Sequence, residues 1–539
     1  MKRLLSTPFA VVLLALVALL AYANTFQAPF LFDDLSILLR NPHIRTLLPI
    51  GLSPRWLVNL SFKLNYQWHG YHVSGYHVAN LLIHVAAGLL LYGILRRTLT
   101  RKPLRAAYGA VAAPLALVVA ALWTLHPLQT ESVTYICQRY ESMMGLCLLA
   151  TLYSFIRSVD AAAPRARRLW GNAALVCCAL GMGTKEVMVV TPFLVWGYDV
   201  CFVGGSWTAP WRERRWLHTA LFLTLGVLVM FELFMLGHAL AAESGLTGGL
   251  SPARYLASQT GVILHYLRLS VLPRGLCLDY AWPAAAGWGA VWWQTLVIAA
   301  LGLVSLWGLL RRHPAGFLGA AFFLLLAPTS SVLPVPDIAF EHRMYLPLAC
   351  VLTGLVLWAY RLLVGRLRPP LLVGLAVALA LTLAGLTFAR NADYRSELAM
   401  WRDVAVKRPD NLRARIELAI ALAESGQADE AARHFEAVLA RIPPAARARF
   451  VRGEVDPGGF ATMSSRFHYF RAHANYGRLL AGHPATRAAA INHYILALRA
   501  APHHPVAETY LRDALREEGV AEPELEAEIL RRITTYRPR

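Results

Sequence analysis

Acidic side chains are scarce where this sequence is most hydrophobic: the first 388 residues carry 13 Asp and Glu against 29 Lys and Arg. Cysteine is scarce too, seven in 539 residues. Most lie in or beside apolar runs, and only Cys137 and Cys277 fall where an oxidising compartment could reach them, so no disulfide framework can be read. Charged residues of either sign make up 16% of the chain, against 57% hydrophobic residues and a mean hydropathy of +0.45. That excludes a single soluble core and requires a protein largely embedded in membrane. The first apolar run resembles a signal peptide, since Lys2 and Arg3 precede it, but no A-x-A-like site convinces and ten more runs follow, so it reads as an uncleaved anchor.

Apolar runs of roughly 17 to 25 residues, the length a bilayer requires, fall near 8–26, 76–95, 108–125, 142–157, 169–183, 187–203, 216–237, 289–310, 315–334, 346–364 and 370–388. Eleven crossings are therefore expected. Basic clusters follow alternate runs: Arg96 to Arg105 the second, Arg165 to Arg168 the fourth, Arg212 to Arg215 the sixth, Arg311 and Arg312 the eighth, Arg361 to Arg368 the tenth. Eleven crossings place all of them on one side, and cationic loops remain cytoplasmic. The N-terminus is then inside and the C-terminus outside an inner (plasma) membrane. The segment 255–272 would break the alternation if it crossed, so it is expected to be an interfacial or re-entrant helix. With Asp160, Asp199 and Glu213 as exceptions, the acids lie in or near the outer face, Glu232 in a span and Glu243 in a loop. The net charge of +20 is mostly this topological bias, and nucleic acid is not an expected partner.

After Phe388 the character changes to frequent charge and helical spacing of apolar residues, giving two domains, 1–388 and 389–539. Pro409 to Pro443 is a spacing of 34, the tetratricopeptide period, with Gly426 in the turn between helices. A second unit is expected at about 468–502, a degenerate third or a capping pair over 503–538, and a loop containing "GEVDPGGF" between the first two. Such stacked helices either brace the membrane domain or present a concave surface to a polypeptide.

Polar residues cluster at the outer ends of the spans. The first cluster is "FDD" with Asp33 and Asp34; the second, "HPLQTESVTYICQRYE", holds His126, Glu131, Gln138 and Arg139. The third is "TKE" with Lys185 and Glu186, and the fourth is "EHRMYLP" with Glu341, His342, Arg343 and Tyr345. Ionisable groups at membrane depth are costly and are functional candidates. Each also has a plainer reading: Asp33 and Asp34 as a solvated boundary, Lys185 with Glu186 as a local pair, Glu131 with Arg139 as an ion pair. His69, His72, His77 and His84 match no zinc spacing and read as interfacial, like Trp56 and Trp68.

These motifs in this order, with "LNY" and "HVANLLIH" between the first two and a repeat-like tail after the last, resemble the transmembrane and tetratricopeptide-repeat-containing O-mannosyltransferases and their bacterial relatives. The resemblance covers essentially the whole chain. It implies an all-α, polytopic GT-C membrane bundle with an extracytoplasmic tetratricopeptide-like domain. It also implies transfer of a sugar from a polyprenyl-phosphate donor to an acceptor hydroxyl, on protein Ser/Thr or on a glycolipid or surface glycan.

For that chemistry a carboxylate must take the acceptor proton, and Asp33 or Asp34 is the candidate. Fixed cations must stabilise the departing phosphate, for which Arg139, Lys185, His342 and Arg343 are candidates; Glu131, Glu186, Glu341, Tyr345, His126 and Gln138 complete the substrate-contacting set. Membrane lipid borders an apolar groove for the polyprenyl tail. Magnesium or manganese on the two aspartates is a possible addition, although a lipid-monophosphate leaving group requires no metal. A transporter would show duplicated halves and charge near the midplane, and neither is seen; a non-enzymatic scaffold would not need aligned acids on the outer face.

Overall fold

The computed structural model describes residues 7–51, 53–230, 250–335, 337–454 and 460–536. Among these the secondary structure is helical throughout, with one isolated bridge between Val364 and Leu367 and no strand. Two compact units result: Met1–Ser244, Pro252–Leu278 and Trp282–Ser396 form the first, and Gly245–Ser251, Asp279–Ala281 and Glu397–Arg539 the second. Glu232 and Glu243, with the end of the run expected at 216–237, lie outside the described residues.

In the first unit α1 is Thr7–Ala21, α2 Trp56–His69, α3 Val73–Thr98, α4 Lys102–Thr124, α5 Arg139–Asp160, α6 Pro164–Gly181 and α7 Glu186–Gly204. They are followed by α8 Arg215–Leu223, α9 Pro252–Val271, α10 Trp292–Leu310, α11 Pro314–Leu326, α12 Pro347–Leu363 and α13 Pro369–Asn391. Prolines start many of them: Pro164, Pro314, Pro347 and Pro369 each occupy the first turn, where a missing N–H costs nothing and the fixed φ suits the helix.

Each segment expected to span overlaps a helix within its described residues, although the helix in 315–334 stops at Leu326. By length and composition, six segments can cross a bilayer: Val73–Thr98, Lys102–Thr124, Ile136–Asp160, Glu186–Gly204, Trp288–Leu310 and Pro369–Tyr394. Pro8–Ala21, Arg215–Met230, Pro314–Leu326 and Pro347–Leu363 are shorter apolar helices, and α6 carries Arg165, Arg167 and Arg168 in its opening turns. The chain is a membrane protein. Within it, 72% of the most apolar window of Glu186–Gly204 is buried by protein but only 6% of Trp288–Leu310 and 11% of Pro369–Tyr394. The last two therefore turn Leu and Val side chains outward, an arrangement that water would penalise and lipid does not.

Small residues decide how close the inner helices come. The place a Cβ would take on Gly145 of α5 lies 2.5 Å from Cε1 of Tyr345, and Tyr345 is fully buried. Gly145→Ala is accordingly expected to destabilise the protein by about 1–3 kcal/mol through overpacking, read as a lowered midpoint of thermal unfolding in detergent.

The close of the first unit is stitched to its beginning. Asn391 donates to the carbonyl of Ala21 (2.9 Å) and to Asn24 (3.0 Å), and accepts from the hydroxyl of Thr134 (3.0 Å). One turn earlier, Thr387 donates to the carbonyl of Leu125 at 2.7 Å.

The second unit is a succession of helices: α14 Glu397–Lys407, α15 Leu412–Glu424, α16 Ala428–Arg441, α17 Pro444–Val451, α18 Phe460–Ala481, α19 Arg487–Ala500, α20 Pro505–Glu517 and α21 Leu525–Thr535. Gly426 makes the turn between α15 and α16 at φ +79°, a left-handed position natural to glycine after a helix C-terminus. The stretch expected as a loop between the first two pairs instead begins with α17. Pro444 opens that helix and Phe450 is buried among Tyr469, Ile491 and Leu498; most of "GEVDPGGF" lies outside the described residues.

Candidate active site

The turn before α2 is set by Asp34. Its carboxylate, 1% exposed, accepts the backbone N–H of Leu31 (3.0 Å) and that of Cys137 (2.7 Å). This double anchor holds Phe32 in the left-handed region at φ +46°, a strained position for a bulky residue. Burial pushes the Asp34 carboxyl up to about 7, against the two N–H donors that favour its charge. Asp33 is half-buried; its backbone N–H donates to the Tyr135 hydroxyl at 2.9 Å. The hydroxyl of Tyr140 donates to Asn59 at 2.7 Å, and the Arg55 guanidinium lies 5.1 Å from its ring.

Arg139 opens α5 and is 1% exposed. Its guanidinium donates to Asn80 and Asn65 (both 2.6 Å), to the carbonyl of Tyr76 (3.0 Å) and to Ser61 (3.2 Å), and lies 4.5 Å from the ring of Phe62. No carboxylate is among these hydrogen-bond partners, so the expected alternative of a Glu131–Arg139 pair does not form. Arg139 clamps α2 and α3 to α5. Gln138, half-buried, stands at the N-terminus of the same helix.

Glu131 instead meets the fourth cluster. One of its oxygens lies 2.7 Å from Nδ1 of His342, and the other accepts the backbone N–H of His342 at 2.9 Å. Lys185 and Glu186, adjacent in sequence, diverge. The Lys185 ammonium pairs with Glu141 in a buried contact, whereas Glu186 pairs with Arg55 at 3.1 Å, both partly exposed. Arg343 donates to the carbonyls of Ile338 (2.9 Å), Thr329 (3.3 Å) and Asp337. Glu341 accepts the backbone N–H of Cys277 at 2.6 Å and lies 3.8 Å from Arg390.

The remaining predicted residues brace this arrangement. Tyr345 bonds His84 through its hydroxyl (3.0 Å), while its carbonyl accepts from the indole of Trp123 (2.8 Å) and from Gln129 (3.3 Å). His126 accepts the N–H of Leu128 at 3.2 Å and so caps the short helix Pro127–Gln129; burial lowers its pKa to about 4. The structure thus draws Glu131, Lys185, His342 and Arg343 into one neighbourhood and leaves Arg139 in another. Glu141, the last residue of the second cluster, and Arg55 complete the ion pairs.

Between α5, α7, α11 and α12 lies a narrow crevice, lined by Glu141 and Arg343 with Met144, Val187, Leu325, Thr329, Leu346 and Pro347. It is charged at one side and apolar elsewhere. A divalent cation does not fit the aspartate pair: both oxygens of Asp34 already accept N–H groups, and no group of three His, Cys, Asp or Glu suited to a metal occurs among the described residues. The early histidines also diverge, His77 bonding the carbonyl of Ala28 and His84 that of Thr124.

An all-helical membrane protein with an ionisable cluster beside an apolar cleft is the class these features define. Sequence comparison places it among known proteins. The chain is 30% identical over 176 residues to the protein O-mannosyl-transferase Tmtc3 of Drosophila melanogaster, covering 27% of this chain and 19% of that protein. It is 22% identical over 454 residues to the protein O-mannosyl-transferase F38B6.6 of Caenorhabditis elegans (78% and 60%) and 23% identical over 499 residues to TMTC4 of Mus musculus (79% and 66%). The chain is a homologue of the TMTC protein O-mannosyl-transferases, and its match spans less than two thirds of the length of each of these relatives. No family model and no solved structure matches it.

Proposed function

We propose that this protein is a GT-C glycosyltransferase that moves a sugar, mannose by its relatives' names, from a polyprenyl-phosphate donor to a Ser or Thr hydroxyl on the extracytoplasmic face. The observation that carries this reading is the meeting, along one narrow crevice, of Arg343 and the Lys185–Glu141 pair with the apolar side chains of Met144, Leu325 and Leu346. A phosphate joined to a hydrocarbon chain matches that juxtaposition. Asp33 takes the acceptor proton; Asp34 shapes the loop that presents it. Lys185 and Arg343 stabilise the phosphate as it departs. The membrane topology that accompanies this reading has eleven crossings, α9 at the outer interface, a cytoplasmic N-terminus and the second unit outside, where its helix pairs offer a polypeptide acceptor a surface.

Purified protein in nanodiscs, given polyprenyl-phosphate mannose and Ser/Thr-rich peptides, should add one hexose mass to the peptide. Mass spectrometry of surface proteins from cells with and without the chain should show the same mass lost. A changed glycolipid with no changed protein would replace the polypeptide acceptor by a glycan; no transfer to either acceptor would overturn the enzymatic reading.

A further inference from the structure

Glu131 and His342, 211 positions apart in sequence, form a dyad that the phosphate-binding reading does not require. The carboxylate grips the histidine twice, at Nδ1 (2.7 Å) and at the backbone N–H (2.9 Å), and Phe340 stacks on the ring at 5.1 Å. Both side chains are almost fully buried. A ring fixed at Nδ1 has its chemistry directed through Nε2, since the hydrogen bond at one nitrogen decides what the other can do. Nε2 has no hydrogen-bond partner and is not among the sealed, unsatisfied polar atoms, so it is open to a ligand. An electrostatic contact to a merely structural histidine would not need this exit.

Resting on the proposed transfer reaction, we infer that His342 is its general acid and Glu131 the relay behind it: His342 Nε2–H protonates the departing phosphate while Nδ1 takes the proton of Glu131. In the step the acceptor oxygen bonds to the anomeric carbon and the bond from that carbon to the phosphate oxygen breaks, its electron pair staying on oxygen. The acceptor's own proton goes to Asp33. The Nε2 proton goes to the phosphate, which leaves as a monoanion rather than a dianion. Glu131 ends as a carboxylate, held by the His342 backbone N–H; when product departs, a solvent proton enters at Nε2 and the Nδ1 proton returns to Glu131.

The surroundings supply the starting protonation. Burial raises the Glu131 carboxyl, opposed by the His342 N–H and by the charges of Arg390, Lys185 and Arg343. Burial also holds His342 well below the ordinary histidine range, helped by Lys185 and Arg343 and opposed by Glu141 and Asp337. One proton is thus shared by the pair, on Glu131 at rest, leaving Nε2 protonated and facing outward.

The test is steady-state transfer by the full-length protein in nanodiscs with polyprenyl-phosphate mannose across pH 5.5 to 9. Wild-type kcat should fall on the alkaline side, where the shared proton is lost. Glu131→Gln and His342→Gln should each lower kcat about 30- to 100-fold, a part of the range for acid catalysis, leave the donor KM within twofold and abolish the alkaline fall. The double variant should be no slower than either single one, because the two act as a unit. An unchanged pH profile in Glu131→Gln, or additive losses, would overturn the relay. A proton inventory on wild type in H₂O and D₂O mixtures serves if a variant fails to fold: a curved plot supports two protons in flight, and a plot without isotope effect rejects them. Wild-type protein inactive on the donor would instead overturn the underlying reaction.

Discussion

Asp33→Asn should reduce sugar transfer about 10³-fold, within the range by which a positioned base contributes, and leave the protein assembled. Asp34→Asn should do something different, because the Asp34 carboxylate is a structural acceptor. An asparagine offers one oxygen where Leu31 and Cys137 require two, and an orphaned buried N–H costs about 1–3 kcal/mol. The expected readout is a lowered unfolding midpoint, with activity lost in step with folded protein. Acidity adds a second signature. With the folded Asp34 at about 7 and the unfolded group at its ordinary 3.8, the native state binds this proton more tightly. Its stabilising contribution is complete below about 4 and lost as pH rises through 7, so that slope should be present in wild type and missing in Asp34→Asn. Retention of more than a tenth of the activity in Asp33→Asn would show that another group is the base.

Lys185→Met should lower transfer about 10²- to 10³-fold, as removal of a fixed donor to developing charge does elsewhere. It should also destabilise, because Glu141, 3% exposed, is left as an uncompensated buried charge at a cost of about 3–5 kcal/mol. Adding Glu141→Gln separates the two effects: the double variant should regain most of the lost thermal stability and none of the lost transfer. If transfer returned with stability, Lys185 would be a partner of Glu141 and nothing more. The pair also implies exchange on binding, since a donor phosphate reaching Lys185 takes over the role Glu141 has in its absence.

The helices were legible because an apolar run of bilayer length leaves few alternatives: each segment from 8–26 to 370–388 is helical over most of its described residues. What composition could not show was which charged side chains are sealed by the fold. Arg139 and Asp34 look in sequence like their neighbours Gln138 and Asp33, but the former pair is almost fully buried and the latter is not. Pairing was equally hidden. Lys185 finds Glu141 44 positions away, and Arg55 finds Glu186 131 positions away, while local spacing favoured Lys185 with Glu186. In the tail, "GEVDPGGF" drew attention to turns, yet the Ala-rich stretch after Pro444 had what a short helix needs and an aromatic to bury.

The stitch made by Asn391 sets an order of events during synthesis. Residues 21, 24, 125 and 134 leave the ribosome long before 387 and 391, which hold them. The loop bearing Glu131 waits likewise for His342. Nascent chains halted before Pro369–Asn391 would therefore be inserted with the segments at 21–24 and 125–134 unfastened, and these would be drawn together only as that helix arrives. On the proposed function, a cell making this protein is spared a partly built transferase working on lipid-linked sugar.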